Sequence, residues 1–469
     1  MGPANLGCVA GRSAGGQLPR VLAIAVGVMV GATCSTVLAA TELERLIQQM
    51  PGNSWLRVNT NQFWEVWTPP DQRPVSWISP ASNISGWSGA AWDRSRRRLM
   101  IFGGDVGNER GNEVYYFDTT DLRWHRASLP SAMLESADKR PYAIDGTDNA
   151  PRSGESYDNL VYLENLDRLL VINASWNGPG FRREDAITRT GPYLWDPSRA
   201  DPDMVGGTNG SQVNPIEHPE VVGGAMWENR DTWARFGLGG AGYSGVSAAI
   251  DENGVDVVYW GECPANGGRL HKFSFYDMDP LNDRWEIVGR SDGTFQQPGS
   301  GAYDSLRKAF VRISGPRIMY WNLETPGPTN YHVPIAPAFD GIEPWSLSEL
   351  YGIDYDSVND MFVLWAGSAD VWWLEPPPRL GPDGWRARQV RPGGDPPPDP
   401  NGLSAPFTGV FGKWIYLPDE RAFIGVVDGE TGDVWVYRAP IDSRNGRSLP
   451  YTPVGSPDLI RQFMLQKRW

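Results

Sequence analysis

The chain has 469 residues and a formal net charge of −14 at pH 7, and its longest basic run is Arg96–Arg98. An acidic surface repels polyanions, so this balance argues against nucleic acid as a partner. The sequence contains 54 Gly, 40 Pro and 22 Trp, a composition typical of an all-β protein with many turns.

The first 40 residues have the pattern of a secretory signal peptide. Arg12 and Arg20 precede the apolar run Val21–Thr33, no acidic residue occurs there, and small residues end the segment at Ala39 and Ala40. We therefore expect a bacterial protein that is secreted or periplasmic, with residues 41–469 forming one mature domain. An uncleaved segment that anchors the chain in a membrane is the alternative. No other membrane contact is expected.

Cysteine usage fits an exported protein without disulfides. Cys8 and Cys34 leave with the signal segment, and Cys263 then has no partner. No metal-ligand spacing surrounds Cys263, so we expect neither a metal nor a cofactor.

The segment after the signal predicts a short helix and two isolated strands. Thr41–Met50 is amphipathic, and Trp55–Val58 and Phe63–Trp67 are rich in strand formers. A strand from this region (residues 55–67) is expected to complete the last blade of a ring and so remove two exposed sheet edges. The tail Asp458–Trp469 is predicted as a helix outside the ring.

Ser88–Ser128 predicts a four-stranded antiparallel meander, and its first hinge recurs along the chain. The hinge copies lie near Asp93, Asn165, Asp251, Asp304, Asp356 and Asp419. A recurring four-stranded meander is the unit of a β-propeller. The fold class is therefore all-β, a six- or seven-bladed β-propeller with blades starting near residues 88, 157, 246, 300, 351 and 410. A seventh blade would lie in Pro197–Gly240, and a two-sheet sandwich is the alternative fold.

The first copy resembles a kelch repeat of the galactose-oxidase superfamily. The residues that carry the resemblance are Gly103 and Gly104, the aromatic Phe117, and Trp124 seven positions later. Gly111–Tyr115 matches secreted bacterial propellers that are related to polysaccharide lyases. Those relatives have Gly-Gly-Gly-His, where this chain has Asp105 and Val106 in the last two positions. The resemblance implies carbohydrate recognition, and the missing His puts a lyase reaction in doubt.

The long loops between strands and between blades hold the candidate site. Exposed Trp beside Arg and acids suits a sugar, because the ring packs on a pyranose and the polar groups bind hydroxyls or a uronate carboxylate. The candidate binding residues are Arg152, Trp176, Arg182, Arg189, Trp227, Arg230, Trp233, Asp105 and Asn112. For β-elimination, Arg183 would neutralise the carboxylate and a base would remove the C5 proton. The candidate bases are Tyr157, Tyr243, His218 and His271.

We expect an exported propeller that binds a polysaccharide or oligosaccharide containing uronate, with β-elimination as the reaction if it is an enzyme. The alternative is a non-catalytic kelch-type module that binds carbohydrate or a protein. A glycosidase comes third, because it needs two carboxylates at a set separation that a sequence does not reveal. Copper-radical oxidation requires a Cys–Tyr cross-link and two His ligands. We judge this chemistry absent, because Cys263 is alone after the signal segment and the chain has only 4 His.

Overall fold

The computed structural model describes residues 40–74, 79–104, 111–135, 141–172, 181–182, 189–210, 215–236, 247–251, 254–261, 268–292, 298–340, 347–348, 350–403 and 407–440. Six antiparallel sheets follow one another along these residues. In the first five the four main strands lie in chain order from the centre outward, and in the sixth the outer strand comes from the N-terminal segment. The protein is a six-bladed β-propeller, which confirms the all-β prediction and excludes the two-sheet sandwich.

The four strands of each blade are called a to d, from the channel outward. The first three blades comprise Gly89–Asp93, Arg98–Phe102, Val114–Asp118 and Arg123–Arg126; Leu160–Leu163, Arg168–Val171, Tyr193–Trp195 and Trp227–Asn229; and Ser247–Asp251, Asp256–Gly261, Arg269–Phe275 and Arg284–Arg290. The last three comprise Gly301–Asp304, Ala309–Ser314, Arg317–Asn322 and Val333–Pro334; Gly352–Asp356, Met361–Trp365, Val371–Glu375 and Arg386–Val390; and Trp414–Leu417, Ala422–Val426, Val434–Arg438 and Ser54–Arg57. Ala338–Phe339 and Gly393–Gly394 add parallel fifth strands to the last two sheets.

The recurrent hinge of the sequence is the turn between strands a and b. Asp93 accepts a hydrogen bond from the amide of Arg96 at 2.9 Å, and Asp304 and Asp356 accept equivalent bonds in blades four and five. A short acid at this position caps the turn, because it satisfies amides that the turn leaves free. This local chemistry explains why the hinge is the best-preserved part of the repeat.

The N-terminal strand closes the ring, as the sequence predicts. Ser54–Arg57 pairs antiparallel with Val434–Arg438 and so becomes strand d of the sixth blade. Leu56 is 4% exposed and belongs to the core shared by the sixth and first blades. Joining the two ends of the chain in one sheet removes the free edges that an open ring would have.

Paired charges join the hinges of neighbouring blades. Arg96 in the first blade binds both oxygens of Asp167 in the second, at 2.6 and 2.7 Å. Arg307 in the fourth blade binds Asp360 in the fifth with the same geometry and distances. The Arg96 guanidinium holds the pKa of Asp167 at about 2, well below its usual range. These pairs fix the hinge end of the central channel.

The structure corrects three sequence predictions. Phe63–Val66 is a 3-10 helix rather than a strand, and Thr232–Phe236, in the segment considered for a seventh blade, is an α-helix rather than a strand. Pro197–Gly240 does not contain a seventh blade, because its described part is a long connection that supplies Trp227–Asn229 as the outer strand of the second blade. The aromatic residues Phe63 and Trp233 of these segments are buried outside any strand, where they pack on Trp124 and Trp260.

The predicted N-terminal helix is confirmed as Glu42–Gln49, with a capping box between Thr41 and Glu44. The remaining short elements of the described part are the α-helix Ser82–Ser85, the 3-10 helices Pro70–Gln72, Pro197–Arg199, Pro280–Asn282, Pro400–Gly402 and Phe411–Lys413, and the strand pairs Met133–Glu135 with Pro141–Ala143 and Phe181–Arg182 with Arg189–Thr190. No helix within the described ranges has both the length and the apolar character needed to cross a bilayer. The predicted signal segment and the tail helix lie outside those ranges.

Candidate functional site

The inner strands surround a central channel, and this channel holds a cavity of about 340 Å³. Its wall includes residues from strand a of the first, second, fourth, fifth and sixth blades. The hinge residues Glu164, Ser305, Ser357 and Pro418 line one end, and Asp158, Gly301 and Gly412 line the other. The cavity volume is within the range of roughly 300–1,000 Å³ that is usual for small-molecule sites.

One position of the inner strands carries an acid in a single blade. The residue two before the end of strand a is Ala91, Val161, Ala249, Ala302, Asp354 and Ile415 in blades one to six. Small and aliphatic residues are expected there, because the six inner strands crowd the axis. Asp354 therefore places a carboxyl group at a strand position that is apolar in the other five blades. The side chain of Asp354 is partly exposed and lines the channel cavity.

Backbone amides hold Asp354 in place. One carboxylate oxygen accepts a hydrogen bond from the amide of Tyr355 and the other from the amide of Tyr416 in the next blade, each at 2.7 Å. Burial raises the pKa of Asp354 to about 7, although the two amide bonds lower it, and the nearby carboxylate of Asp356 raises it further. Among the described residues, no basic side chain contributes to the pKa shift of Asp354.

Two more acids line the same channel. Asp158 accepts a hydrogen bond from the amide of Gly301 at 2.9 Å, which joins the second and fourth blades across the axis. Glu164 lies at the hinge end, where desolvation and the carboxylate of Asp93 raise its pKa to about 7. The described lining residues include three acids and no Lys, Arg or His. The described part of the channel wall is therefore acidic, and the raised pKa values of Asp354 and Glu164 leave both groups about half protonated near pH 7.

Aromatic residues occupy the next position of the inner strands. They are Trp92, Tyr162, Tyr303, Tyr355 and Tyr416, and all five line the cavity. Four of these side chains are at most 9% exposed and pack between the blades, whereas Tyr303 is partly exposed. The Tyr303 ring stacks on Tyr259 with centroids 5.3 Å apart, which fixes its orientation. The channel thus offers one accessible aromatic ring near its acids.

Two tryptophans of the predicted sugar site, Trp227 and Trp233, are buried, and so is its asparagine, Asn112. Trp227 is 6% exposed and packs edge-on against Phe102, and Trp233 is 2% exposed and packs on Trp260. Asn112 is fully buried, and its amide bonds Ser131 and the carbonyl of Pro151. Side chains with these contacts stabilise loops. They offer no surface to a polysaccharide.

The predicted arginines are buried or lie outside the described side chains. Arg230 is 2% exposed and binds the carboxylate of Asp283 and the carbonyls of Asp277 and Met278. Arg152 is 7% exposed. For Arg182 and Arg189 the structure describes only the backbone, where the two pair across a short hairpin. Asp105, Trp176, Arg183 and Tyr243 lie outside the described residues.

Two of the predicted bases are buried. Tyr157 is 2% exposed, and its hydroxyl donates to Glu155 at 2.7 Å. His271 is fully buried, and its Nδ1 accepts a hydrogen bond from the indole of Trp285 at 2.7 Å. A general base must reach the proton of a bound substrate. Neither group does so in this arrangement, so the described part of the chain brings no lyase constellation together.

His218 is the one predicted base that is described and accessible. Its Nε2 lies 2.6 Å from Asp71, and its Nδ1 lies 3.4 Å from Glu220. The hydrogen bond with Asp71 raises the pKa of His218. Ligand atoms of Asp71, Glu217 and His218 lie within 4.8 Å of one another, so this surface group is the described set that could hold a metal. The direct His–Asp bond already accounts for the arrangement.

A second cavity of about 370 Å³ lies at the outer part of the second blade. Arg168 and Arg199 line it, and both form ion pairs with Asp196, at 3.0 and 3.5 Å. Because each of these arginines already has a carboxylate partner, they are poorer anchors for an anionic ligand than a free guanidinium would be.

Fold and cavity together define a six-bladed propeller with an acidic, partly aromatic channel. No protein-family model matches the chain, and no curated protein matches its sequence. Among solved structures, the chain is similar to the crystal structure of the major Malassezia sympodialis allergen Mala s 1, at 11% identity and a TM-score of 0.35 over 79% of this chain and 97% of that chain. A similarity at this level carries no argument about function.

Proposed function

We propose that this protein is a non-catalytic recognition module that binds carbohydrate in its central channel. The observation that supports this most is the combination of the cavity of about 340 Å³ with the accessible ring of Tyr303 and the carboxyl groups of Asp354 and Glu164. Protein sites for sugars combine an aromatic face, which packs on the C–H face of a pyranose, with acceptors for its hydroxyls. Export is part of the proposal and rests on the pattern of residues 1–40.

A binding role fits the described residues better than catalysis does. Elimination from a uronate needs an accessible base and a cation for the carboxylate. Tyr157, His271 and Arg230 are all buried and already bonded within the fold. A lyase would therefore depend on Arg183 as the cation, with Tyr243 or the surface residue His218 as the base. For Arg183 and Tyr243 the support comes from the sequence alone, and His218 is already paired with Asp71. The kelch relationship is likewise a proposal, supported by the spacing of Gly103, Gly104 and Trp124.

The experiment is an NMR titration of the chain without residues 1–40, using methyl glycosides of a hexose, an N-acetylhexosamine, an amino sugar and a uronate. We expect at least one glycoside to bind, and Tyr303→Ala to weaken that binding about tenfold, because one stacking face is lost. Tyr331→Ala is the matched control, since Tyr331 belongs to the same blade, is 57% exposed and does not line the cavity.

Two outcomes would count against the proposal. Binding that Tyr303→Ala and Tyr331→Ala weaken equally would move the site away from the channel, and no binding by any glycoside would remove the carbohydrate. An ultraviolet assay for unsaturated uronate products tests catalysis separately. A rising absorbance that Arg183→Ala abolishes would replace the recognition module with a lyase.

A further inference from the structure

The channel cavity opens on the hinge face of the propeller, which is the face formed by the turns between strands a and b. All four described lining residues at that end are exposed, namely Glu164, Ser305, Ser357 and Pro418. They come from the second, fourth, fifth and sixth blades and so surround the mouth of the channel. A ligand therefore reaches the channel from this face.

The lining residues become less accessible along the inner strands, away from this mouth. In the fourth blade Ser305 is exposed, Tyr303 is partly exposed and Ala302 is buried. In the sixth blade Ile415 is partly exposed and Trp414, next to it, is buried. The inner strand of the fourth blade has four residues, which at about 3.3 Å per residue span about 13 Å. The accessible part of the channel is therefore shallow.

Asp158 closes the other end of the channel. Its carboxylate accepts a hydrogen bond from the amide of Gly301 at 2.9 Å, and a Cβ at Gly412 would lie 2.6 Å from its other oxygen. The second, fourth and sixth blades thus meet at one side chain, which places Asp158 near the axis, because these blades alternate around the ring. Asp158 is 6% exposed. The described residues therefore leave no passage for a sugar ring at this end.

Further bonds between blades lie at this closed end. The Lys413 side chain donates a hydrogen bond to the carbonyl of Ser88, which joins the sixth and first blades. The amide of Tyr157 donates to the carbonyl of Trp87 at 2.7 Å, which joins the second and first blades. Lys413 and Ser88 are fully buried. Because these residues lead into the inner strands, the closed end is part of the scaffold of the ring.

We propose that the channel is a pocket with a single opening, on the hinge face, and that it binds the terminal residue of a glycan chain or branch rather than an internal segment. This inference rests on the proposed function and names the part of the carbohydrate that the site recognises. An internal segment continues in both directions, so it needs a channel open at both ends or a groove across the surface. A terminal residue continues in one direction only, which matches a pocket with one mouth.

The test compares short and long glycans of the same sugar by isothermal titration calorimetry. The short glycans are maltotetraose, chitotetraose, the tetramer of glucosamine and tetragalacturonate, and the long ones are amylose, glycol chitin, chitosan and polygalacturonate. A linear chain has one terminal residue of each kind, whatever its length. We therefore expect one protein molecule to bind per chain, with an affinity per mole of chain that agrees within about twofold between the short and the long glycan.

The substitution Ile415→Trp tests whether the sugar enters the pocket. Ile415 lines the cavity below the mouth and is partly exposed, so a larger side chain narrows the pocket there. We expect the affinity for the tetramer that binds to fall at least about tenfold. Leu306→Trp is the control, because Leu306 is 68% exposed on the same face and does not line the cavity. Circular dichroism establishes that both variants fold, and the length comparison on the unchanged protein depends on neither variant.

The outcomes separate this inference from the proposed function. Binding of several protein molecules to each long chain would overturn recognition of the terminal residue and leave carbohydrate recognition standing. Tetramer binding that is equally strong in Ile415→Trp and Leu306→Trp would place the sugar outside the pocket and would also overturn the inference. If no glycan binds, the proposed function is wrong and this inference is wrong with it.

Discussion

The substitution Trp55→Ala tests whether the N-terminal strand stabilises the closed ring of blades. Its side chain is 2% exposed and packs against Trp365, Trp414 and Tyr437, with ring centroids 5.6, 5.7 and 5.1 Å away. Its indole also donates to the carbonyl of Ala369 at 2.8 Å. One side chain therefore links the N-terminal strand to the fifth and sixth blades.

The cost of Trp55→Ala follows from these contacts. Burying a tryptophan removes roughly 150–250 Å² from water, which at about 25 cal/mol per Å² stabilises the fold by about 4–6 kcal/mol. Measured losses for comparable substitutions are about 3–5 kcal/mol. We expect a loss of about 4–5 kcal/mol. With an unfolding entropy of about 2.1 cal/mol/K per residue over about 400 residues, the melting temperature should fall by about 5–6 °C.

The assay is urea unfolding followed by circular dichroism, together with thermal unfolding. Trp64→Ala is the control, because Trp64 lies in the same N-terminal segment, is 56% exposed and should change stability by less than about 0.5 kcal/mol. If Trp55→Ala costs no more than Trp64→Ala, closure by the N-terminal strand does not stabilise the propeller, and the reasoning fails.

Three further predictions test the local physics. Burial raises the pKa of Glu113 to about 7, above its value of about 4.3 in the unfolded chain. The free energy of unfolding therefore falls as the pH rises from about 4 to about 7, and this loss is fully present above pH 7. The stability of Glu113→Gln relative to wild type should therefore rise by about 2–3 kcal/mol between pH 5 and pH 8 in urea titrations, and a pH-independent difference would contradict this. Gly254 has a φ of +80° and open space around its Cα, so Gly254→Ala should cost about 1–2 kcal/mol in thermal unfolding, whereas Lys308→Gly, at a φ of +48°, should not destabilise. Arg230→Leu leaves the buried Asp283 unpaired and should cost about 3–5 kcal/mol, most of which Asp283→Leu should restore in the double variant.

The fold was predictable because short-range hydrogen bonds within each hinge determine the repeat. Asp93, Asp304 and Asp356 cap their hinges with their own side chains, so the same short pattern marks the same turn in several blades. The closing strand was predictable because the last copy of the repeat showed three strands, whereas a blade has four. These inferences needed no long-range information beyond the count of strands.

The binding residues were predicted poorly for a physical reason. Trp227, Trp233 and Arg230 lie in long connections whose polar neighbours suggested exposure, yet a propeller covers its outer strands with such connections and buries their large side chains. Composition alone does not distinguish an exposed tryptophan from one that anchors a loop. Phe63–Val66 was misassigned for the same reason, because Phe63 is a fully buried anchor.

The sequence also contains a signal for the acid of the channel. Aligning the hinges places Asp354 at a position where the other inner strands have Ala91, Val161, Ala249, Ala302 and Ile415. A lone acid at an apolar position of a repeat costs free energy unless something compensates it. Such a departure marks a functional candidate more specifically than a loop rich in Trp and Arg does.

The central claim is that the ligand binds in the channel, and photo-crosslinking tests it most directly. A methyl glycoside that binds in the titration would be made with a diazirine group, irradiated in complex with the protein and mapped by mass spectrometry. The account predicts labels on channel-lining residues such as Trp92, Tyr303 and Ile415, which the unlabelled glycoside competes away. Competed labels confined to residues outside the cavity wall would contradict it.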